Sequence, residues 1–272
     1  MRNEKGRDFT GAGCAFESFK HPDPILRNSM ELTTFTFVAC NVIIFSAFLV
    51  RSLTGFGSAL ISIPLLALLF DLKFIVPLES LLEVGFTILL IPKLHKRILV
   101  KILLPLIGGA LLGSFLGAHF LMTIENDYLK KILGGLVIGF ALYYSFAGRR
   151  ERKTSISPSW GFLAGATGGV FGGVFGTSGP PYVAYLALQL DDKEILRATL
   201  VGMFAFDYSW RTTVFALSGL YHPQLLLFAL ALAPSLVLGT ILGHFIHFRL
   251  SYKIFQRMIA MILIAAGLFL VW

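Results

Sequence analysis

The sequence predicts an all-α polytopic membrane protein made of two inverted repeats of about five helical elements each, with short half-helices at glycine-rich breaks. Three observations carry that prediction. Hydrophobic residues form 56% of the 272-residue chain and charged residues only 14%, against about a quarter in a soluble domain, and the mean hydropathy is +0.78. Apolar segments long enough to cross a hydrocarbon core as helices follow one another with only short loops between them. The two halves of the chain also share short motifs in the same order. The net charge of +8 comes from basic residues clustered in loops beside apolar segments, where they set topology; no nucleic-acid partner is expected.

Residues 1–31 are polar and mixed in charge, without the basic, apolar and small-residue order of a cleaved signal, and are read as an N-terminal tail. Met30, followed by Glu-Leu-Thr-Thr, is an alternative start. Hydropathy read against breakers then places a first transmembrane repeat over 32–147, with apolar segments at about 32–50, 58–70, 74–92, 98–122 and 129–147. A basic cytoplasmic linker, 148–158, leads to a second repeat over 159–272, with segments at about 160–176, 180–190, 198–218, 224–246 and 254–272. The segments 58–70 and 180–190 cover only about 20 and 16 Å as helices, against a core of roughly 30 Å. The loops Pro92–Lys101, Gly148–Lys153 and His247–Arg257 are the basic ones and are expected inside. Ile124–Tyr128 and Leu220–Gln224 then lie outside, as do both termini. Cys14 and Cys40 have neither metal-ligand spacing nor the pattern of a disulfide framework.

The repeat rests on several matches. Phe56 to Ile75 (FGSALISIPLLALLFDLKFI) lies over Phe175 to Ile195 (FGTSGPPYVAYLALQLDDKEI) with one residue inserted. The shared frame is Phe-Gly-[Ser/Thr], an apolar half-helix, then Asp-x-Lys-x-Ile. Gly113–Gly117 (GSFLG) recurs as Gly239–Gly243 (GTILG). Five elements is an odd number, so the second copy enters from the opposite side, as the loop charges independently indicate. Inverted repeats with interrupted segments at matching positions mark a secondary transporter with a midplane site.

The interruptions suggest the cargo. Broken helix at membrane depth must line a cavity or be packed by protein, because its backbone groups are otherwise unpaired. In the second break, Gly176 and Gly179 can take positive φ, Thr177 or Ser178 can cap the next helix, and Pro180–Pro181 suits its first turn. A helix start carries a partial positive charge, which favours an anion. The first break offers Thr54, Gly55, Gly57 and Ser58 in the same way. Gly161, Gly165, Gly168, Gly169, Gly172 and Gly173, with the two GxxxG motifs, are expected to serve close helix packing.

Ionisable residues within apolar segments point to a pathway. Asp207 and Arg211 are four apart and share a helical face; they form either a structural ion pair or an anion ligand held by its carboxylate. Arg51, just before the first break, is a second candidate ligand, or a side chain that reaches back to the surface. Glu79 and Glu83 also share a face, with Glu79 nearer the interface and Glu83 deeper, where it can carry a coupling proton. His119 and His244, each after its GxxxG, are expected at the interface. No His-x-x-x-His pair, nucleophile elbow or Asp/His cluster is present, so no enzyme, cofactor or metal site is expected. An anion channel is left as an alternative to a transporter.

The paired breaks, Asp71-Leu72-Lys73 after the first half-helix, and Gly172-Gly173-Val174-Phe175-Gly176-Thr177-Ser178-Gly179-Pro180 together resemble the sulfite exporter TauE/SafE family over about residues 33–272. Arg211 is similar to the basic residue that family often carries in this helix. The family is usually richer in glycine where this chain has Thr54–Ser58. The resemblance implies export of sulfite or a small organosulfonate such as sulfoacetate across a bacterial cytoplasmic (inner) membrane. Alternating access, coupled to protons or to membrane potential, is the expected mechanism, and a carboxylate is the nearest alternative cargo. The expected partners are the small anion and the lipid bilayer, with a homo-oligomer left open.

Overall fold

Glycine and proline set where the helices of this chain stop and restart. The computed structural model describes residues 34–54, 57–94, 97–146, 157–245 and 252–271. Among these lie ten helices and no strand: α1 (Thr34–Thr54), α2 (Ser58–Ala67), α3 (Leu72–Leu94), α4 (Val100–Thr123), α5 (Asn126–Phe146), α6 (Pro158–Phe175), α7 (Gly179–Gln189), α8 (Lys193–Leu217), α9 (Pro223–Phe245) and α10 (Tyr252–Val271). The tail 1–31, Gly55, nearly all of the basic linker and the loop 246–251 lie outside the described residues, as do the side chains of Thr54 and His244.

The ten predicted elements correspond to these ten helices, and the two largest differences at their ends have local reasons. α8 begins at Lys193 rather than near 198, because the Asp192 carboxylate accepts from the N–H groups of Glu194 (2.7 Å) and Ile195 (3.1 Å) and caps an earlier start. α1 continues past 50 to Thr54, which puts Arg51 in its last turn rather than in a loop.

Both breaks turn on a left-handed glycine. Gly176 has φ 68° and ends α6. Its N–H bonds to Gly172 O at 2.8 Å, and the Thr177 N–H reaches back six residues to Phe171 O at 3.4 Å, the pattern of a glycine-terminated helix. Gly57, with φ 98°, precedes α2 in the same way. Gly179, expected to share that role, is helical, and the chain reverses on Gly176 alone. The restarted helices α2 and α7 have 10 and 11 residues, about half the length a hydrocarbon core requires. Thr34–Ser52, Val100–Thr123 and Pro223–Gly243 are long and apolar enough to cross a membrane.

Small residues bring the longer helices together. The most extensive helix contact is α4 on α6, followed by α1 on α9 and α5 on α10. Gly109, Gly113 and Gly117 of α4 meet Gly165, Gly169 and Gly173 of α6 along a four-residue ladder. A Cβ on Gly169 would stand 2.7 Å from Ala110 O, and one on Gly173 2.7 Å from Ser114 O. Gly243 of the second GxxxG presses on α1, where a Cβ would stand 2.7 Å from Leu49 O. Exchanging each helix of 34–146 for its counterpart in 158–271 turns the α4–α6 contact into α9–α1, α4–α8 into α9–α3, and α1–α2 into α6–α7; all six contacts occur. That pattern is compatible with a duplicated five-helix unit. The self-paired helices of this exchange, α3 with α8 and α5 with α10, are also in contact.

Gly169→Leu forces a side chain into the backbone of α4 and is expected to cost at least about 2 kcal/mol. Gly135→Leu, where a Cβ meets nothing within 4 Å, is expected to stay within about 0.5 kcal/mol. Unfolding of the detergent-solubilised protein checks the pair.

Candidate functional site

Each half-helix presents two hydroxyls one turn apart to the helix that follows it. On α2 these are Ser58 and Ser62. Ser58 Oγ donates to the Glu83 carboxylate of α3, and Ser62 Oγ lies 2.8 Å from Glu79 Oε1 and 3.0 Å from Ser58 O. On α7 they are Ser178 and Tyr182. Ser178 Oγ donates to Asp207 Oδ2 at 2.8 Å, and the Tyr182 hydroxyl to Asp207 Oδ1 at 2.9 Å. Of the two cap candidates, Thr177 and Ser178, it is Ser178 that occupies the N-cap position of α7, but its side chain makes no capping bond and serves the carboxylate instead. Glu79, expected nearer the interface, has no exposed surface, and neither do Glu83 and Asp207.

Two arginines stand against these carboxyls. Arg51 crosses from the last turn of α1, pairs with Glu83, and donates from Nη1 to Ser58 Oγ (2.9 Å) and the Tyr208 hydroxyl (3.2 Å). It does not turn back to the surface: it is 1% exposed, with its guanidinium over the rings of Phe86 (4.5 Å), Tyr208 (5.2 Å) and Phe204 (5.6 Å). Arg211 also lies over the ring of Tyr208, 4.8 Å from its centre. Tyr208 therefore packs against two buried guanidiniums.

The two arginines differ in what they bond. Asp207 shares the helical face of Arg211, as the spacing predicts, but the closest approach is 3.9 Å, too long for a hydrogen bond. Both Asp207 oxygens are occupied by hydroxyls from α7. Arg211 is fully buried, yet its Nε, Nη1 and Nη2 make no hydrogen bond. A guanidinium carries five N–H donors, and leaving charged donors unpaired in a buried site is costly. The neighbouring carboxylate balances its charge and leaves its donors available to an oxygen-rich ligand.

The glycines around this point have two distinct roles. Gly165, Gly169 and Gly173 serve packing, as expected. Gly168 and Gly172, one position earlier, face the other way: a Cβ on Gly172 would stand 2.6 Å from Arg211 Nη1 and 3.1 Å from Ser178 Cβ, and one on Gly168 2.7 Å from Tyr182 Cδ1. Their bare backbone makes room for the site. Pro180 and Pro181 fill the first turn of α7 and have no N–H, so two of the four donors of a helix start are missing. The positive end of α7 remains, but most of the hydrogen-bonding capacity here belongs to Arg211.

Of the residues singled out in the sequence, Arg51, Ser58 and Glu83 form one group and Ser178, Asp207 and Arg211 another, and both arginines lie over the ring of Tyr208. Gly57, Gly176 and Thr177 form the breaks, Gly179 and Pro180 open α7, and Thr54 ends α1. Sequence reasoning missed Ser62, Tyr182 and Tyr208. Each sits one turn from a residue already chosen: Ser62 from Ser58, Tyr182 from Ser178, Tyr208 from Arg211. His119, exposed in the last turn of α4, is apart from the site.

The shared Asp-x-Lys motif does different work in the two halves. Asn126 donates to Asp71 Oδ1 (2.6 Å) and accepts from the Leu72 N–H (2.9 Å), while Lys73 donates to Met122 O (3.0 Å), tying the start of α3 to the α4–α5 turn. In the second copy the cap of α8 comes from Asp192, which stands at the middle position of the motif, opposite Leu72 of the first.

A model of the family described as Sulfite exporter TauE/SafE matches residues 40–270 of the chain. Neither a curated protein nor a solved structure gives a match.

Arg51→Ala leaves Glu83 buried without its cation and is expected to destabilise the fold by about 3–5 kcal/mol. Adding Glu83→Gln removes the unpaired charge and is expected to restore much of that loss. A double-mutant cycle on unfolding in detergent measures the difference.

Proposed function

We propose, from the fact that the chain belongs to the sulfite exporter TauE/SafE family and from the chemistry of Arg211, that this protein carries a small sulfur oxyanion or sulfonate across a bacterial cytoplasmic membrane. Arg211 is the principal ligand of the anion. The observation that carries this reading is a fully buried guanidinium whose three nitrogens have no hydrogen-bond partner. The pyramidal oxygens of sulfite or a sulfonate supply several acceptors at once, and the planar fork of arginine takes them two at a time. Burial makes each such bond stronger than it is in water.

The surroundings support the same reading. Gly172 leaves room beside Nη1, the guanidinium lies over the ring of Tyr208, and the positive end of α7 opens nearby. Thr177, Ser178 and the backbone of Gly176 line the second break; Thr54, Gly55, Gly57 and Ser58 belong to the first. Arg51 is engaged with Glu83 and adds field rather than a free fork. The contact pattern compatible with a duplicated unit supports two inverted repeats, 32–147 and 159–272, that rock about the α3–α8 pair in alternating access. The basic loops put the linker on the cytoplasmic side.

Arg211→Ala is expected to weaken binding of sulfite or sulfoacetate at least about 30-fold, the equivalent of ~2 kcal/mol, with the protein still folded. Arg211→Lys, which keeps the charge and loses the fork, is expected to fall between the two. Gly172→Ala is expected to weaken binding by displacing Nη1. Thermal-shift titration with sulfite, sulfoacetate, taurine and small carboxylates reads all three, and wild-type affinity in Arg211→Ala removes Arg211 from the site. In proteoliposomes, concentrative flux is expected under an imposed gradient; passive flux at channel rates overturns the transporter reading.

A further inference from the structure

One buried cluster holds two guanidiniums and three carboxyls, and one carboxyl has no cation of its own. Glu83 pairs with Arg51 and accepts from Ser58. Asp207 lies beside Arg211 with both oxygens accepting hydroxyls. Glu79 has only Ser62 on Oε1 and nothing on Oε2. The Ser62 hydroxyl has a single hydrogen, yet its oxygen stands within bonding distance of both Ser58 O (3.0 Å) and Glu79 Oε1 (2.8 Å). A backbone carbonyl only accepts. With Glu79 ionised, two acceptors compete for one hydrogen. With Glu79 protonated, the carboxyl donates to Ser62 Oγ, Ser62 donates to Ser58 O, and both contacts are complete.

We infer that Glu79 is a proton-binding site coupled to the anion site, and that the anion crosses the membrane together with one proton held on this carboxyl. The inference rests on the anion reading of Arg211. An anion seated there adds negative charge to a buried cluster that already contains one more carboxyl than guanidinium, so it binds best when Glu79 is neutral. The linkage is reciprocal: the bound anion makes the proton on Glu79 more stable. Glu83 is a poorer carrier, because a proton there removes the counter-charge of Arg51. Asp207 is poorer too, because Ser178 and Tyr182 both require its oxygens as acceptors.

The charged and titratable groups facing Glu79 are Glu83 on α3, Arg51 from α1 and Arg211 from α8, with the ring of Tyr208 against both arginines. Tyr221, before α9, bonds to the adjacent Ser80 at 2.8 Å. α2 brings serine hydroxyls, and α6 has no titratable residue. On α4 and α5 the titratable residues whose side chains are described, Lys101, His119, Asp127, Tyr128, Lys130 and Lys131, lie in the end turns, and none is buried.

Methanesulfonate is ionised at every working pH and tests the inference cleanly. Calorimetric titration of the full chain in buffers of different ionisation enthalpy counts protons taken up per anion. The wild type is expected to take up close to one at pH values where free Glu79 is ionised, and its Kd is expected to weaken about tenfold per pH unit there, as one linked proton requires. Glu79→Gln is expected to bind methanesulfonate with no proton uptake and a flat pH profile. Infrared difference spectra on adding methanesulfonate are expected to gain a protonated-carboxyl band in the wild type. If Glu79→Gln does not fold, Glu79→Asp replaces it, with that band expected at a shifted frequency. Binding without proton uptake in the wild type overturns the inference and leaves the anion site standing, as does uptake that persists in Glu79→Gln or a band unmoved in Glu79→Asp. Absence of methanesulfonate binding to the wild type overturns both.

Discussion

The structure depends on the cost of holding charge away from water. Arg51, Glu79, Glu83, Asp207 and Arg211 are almost fully enclosed, and a buried charge persists only where opposite charge and hydrogen bonds replace its hydration. The rest of the architecture follows from meeting that requirement. Half-helices α2 and α7 end inside the protein so that the hydroxyls of their first turns can reach the carboxyls of α3 and α8. Aromatic rings from α3 and α8 cover the face of Arg51. Tyr208 offers a π surface to both guanidiniums.

Close packing makes that interior possible. The glycine ladder between α4 and α6 brings two backbones into contact without side chains between them, which holds the end of α6, and therefore Gly176, in place. On its other face the same helix omits side chains at Gly168 and Gly172 to admit Tyr182 and Arg211. One glycine-rich helix thus fixes the scaffold along one stripe and shapes the site along the next.

The compensation is fuller for Arg51, which lacks a hydrogen-bond partner only on Nε among its buried nitrogens, than for Arg211, which lacks one on all three. Arg51 has a carboxylate, two hydroxyls and three rings; Arg211 has a distant carboxylate and one ring. The asymmetry also separates two roles in one cluster. The ion pair and the extra carboxyl are built from α1 and α3, and the guanidinium without hydrogen bonds stands on α8.

Much of this was legible in the sequence, and the reason is local. Hydropathy, glycine breaks and loop charge act over a few residues, so ten elements, two half-helices and the spacing of Asp207 and Arg211 could all be read from neighbouring positions. Family membership was legible through the glycine motif of the second break. Contacts between helices decided the rest. Ser178 looked like a cap because serine at a helix start usually is one; Asp207, 29 positions away, takes its hydroxyl instead. Gly168 and Gly169 are indistinguishable in sequence, and only the placement of α4 on one side and α7 on the other divides packing from site. Glu79 looked interfacial from its place in α3, but α2 folds over it. The sequence by itself determined where the chain breaks and which charges lie within its apolar segments. The tertiary structure alone decided which charges meet and which one is left without a partner, because pairing in a low-dielectric interior depends on distances of a few ångströms between helices far apart in the chain.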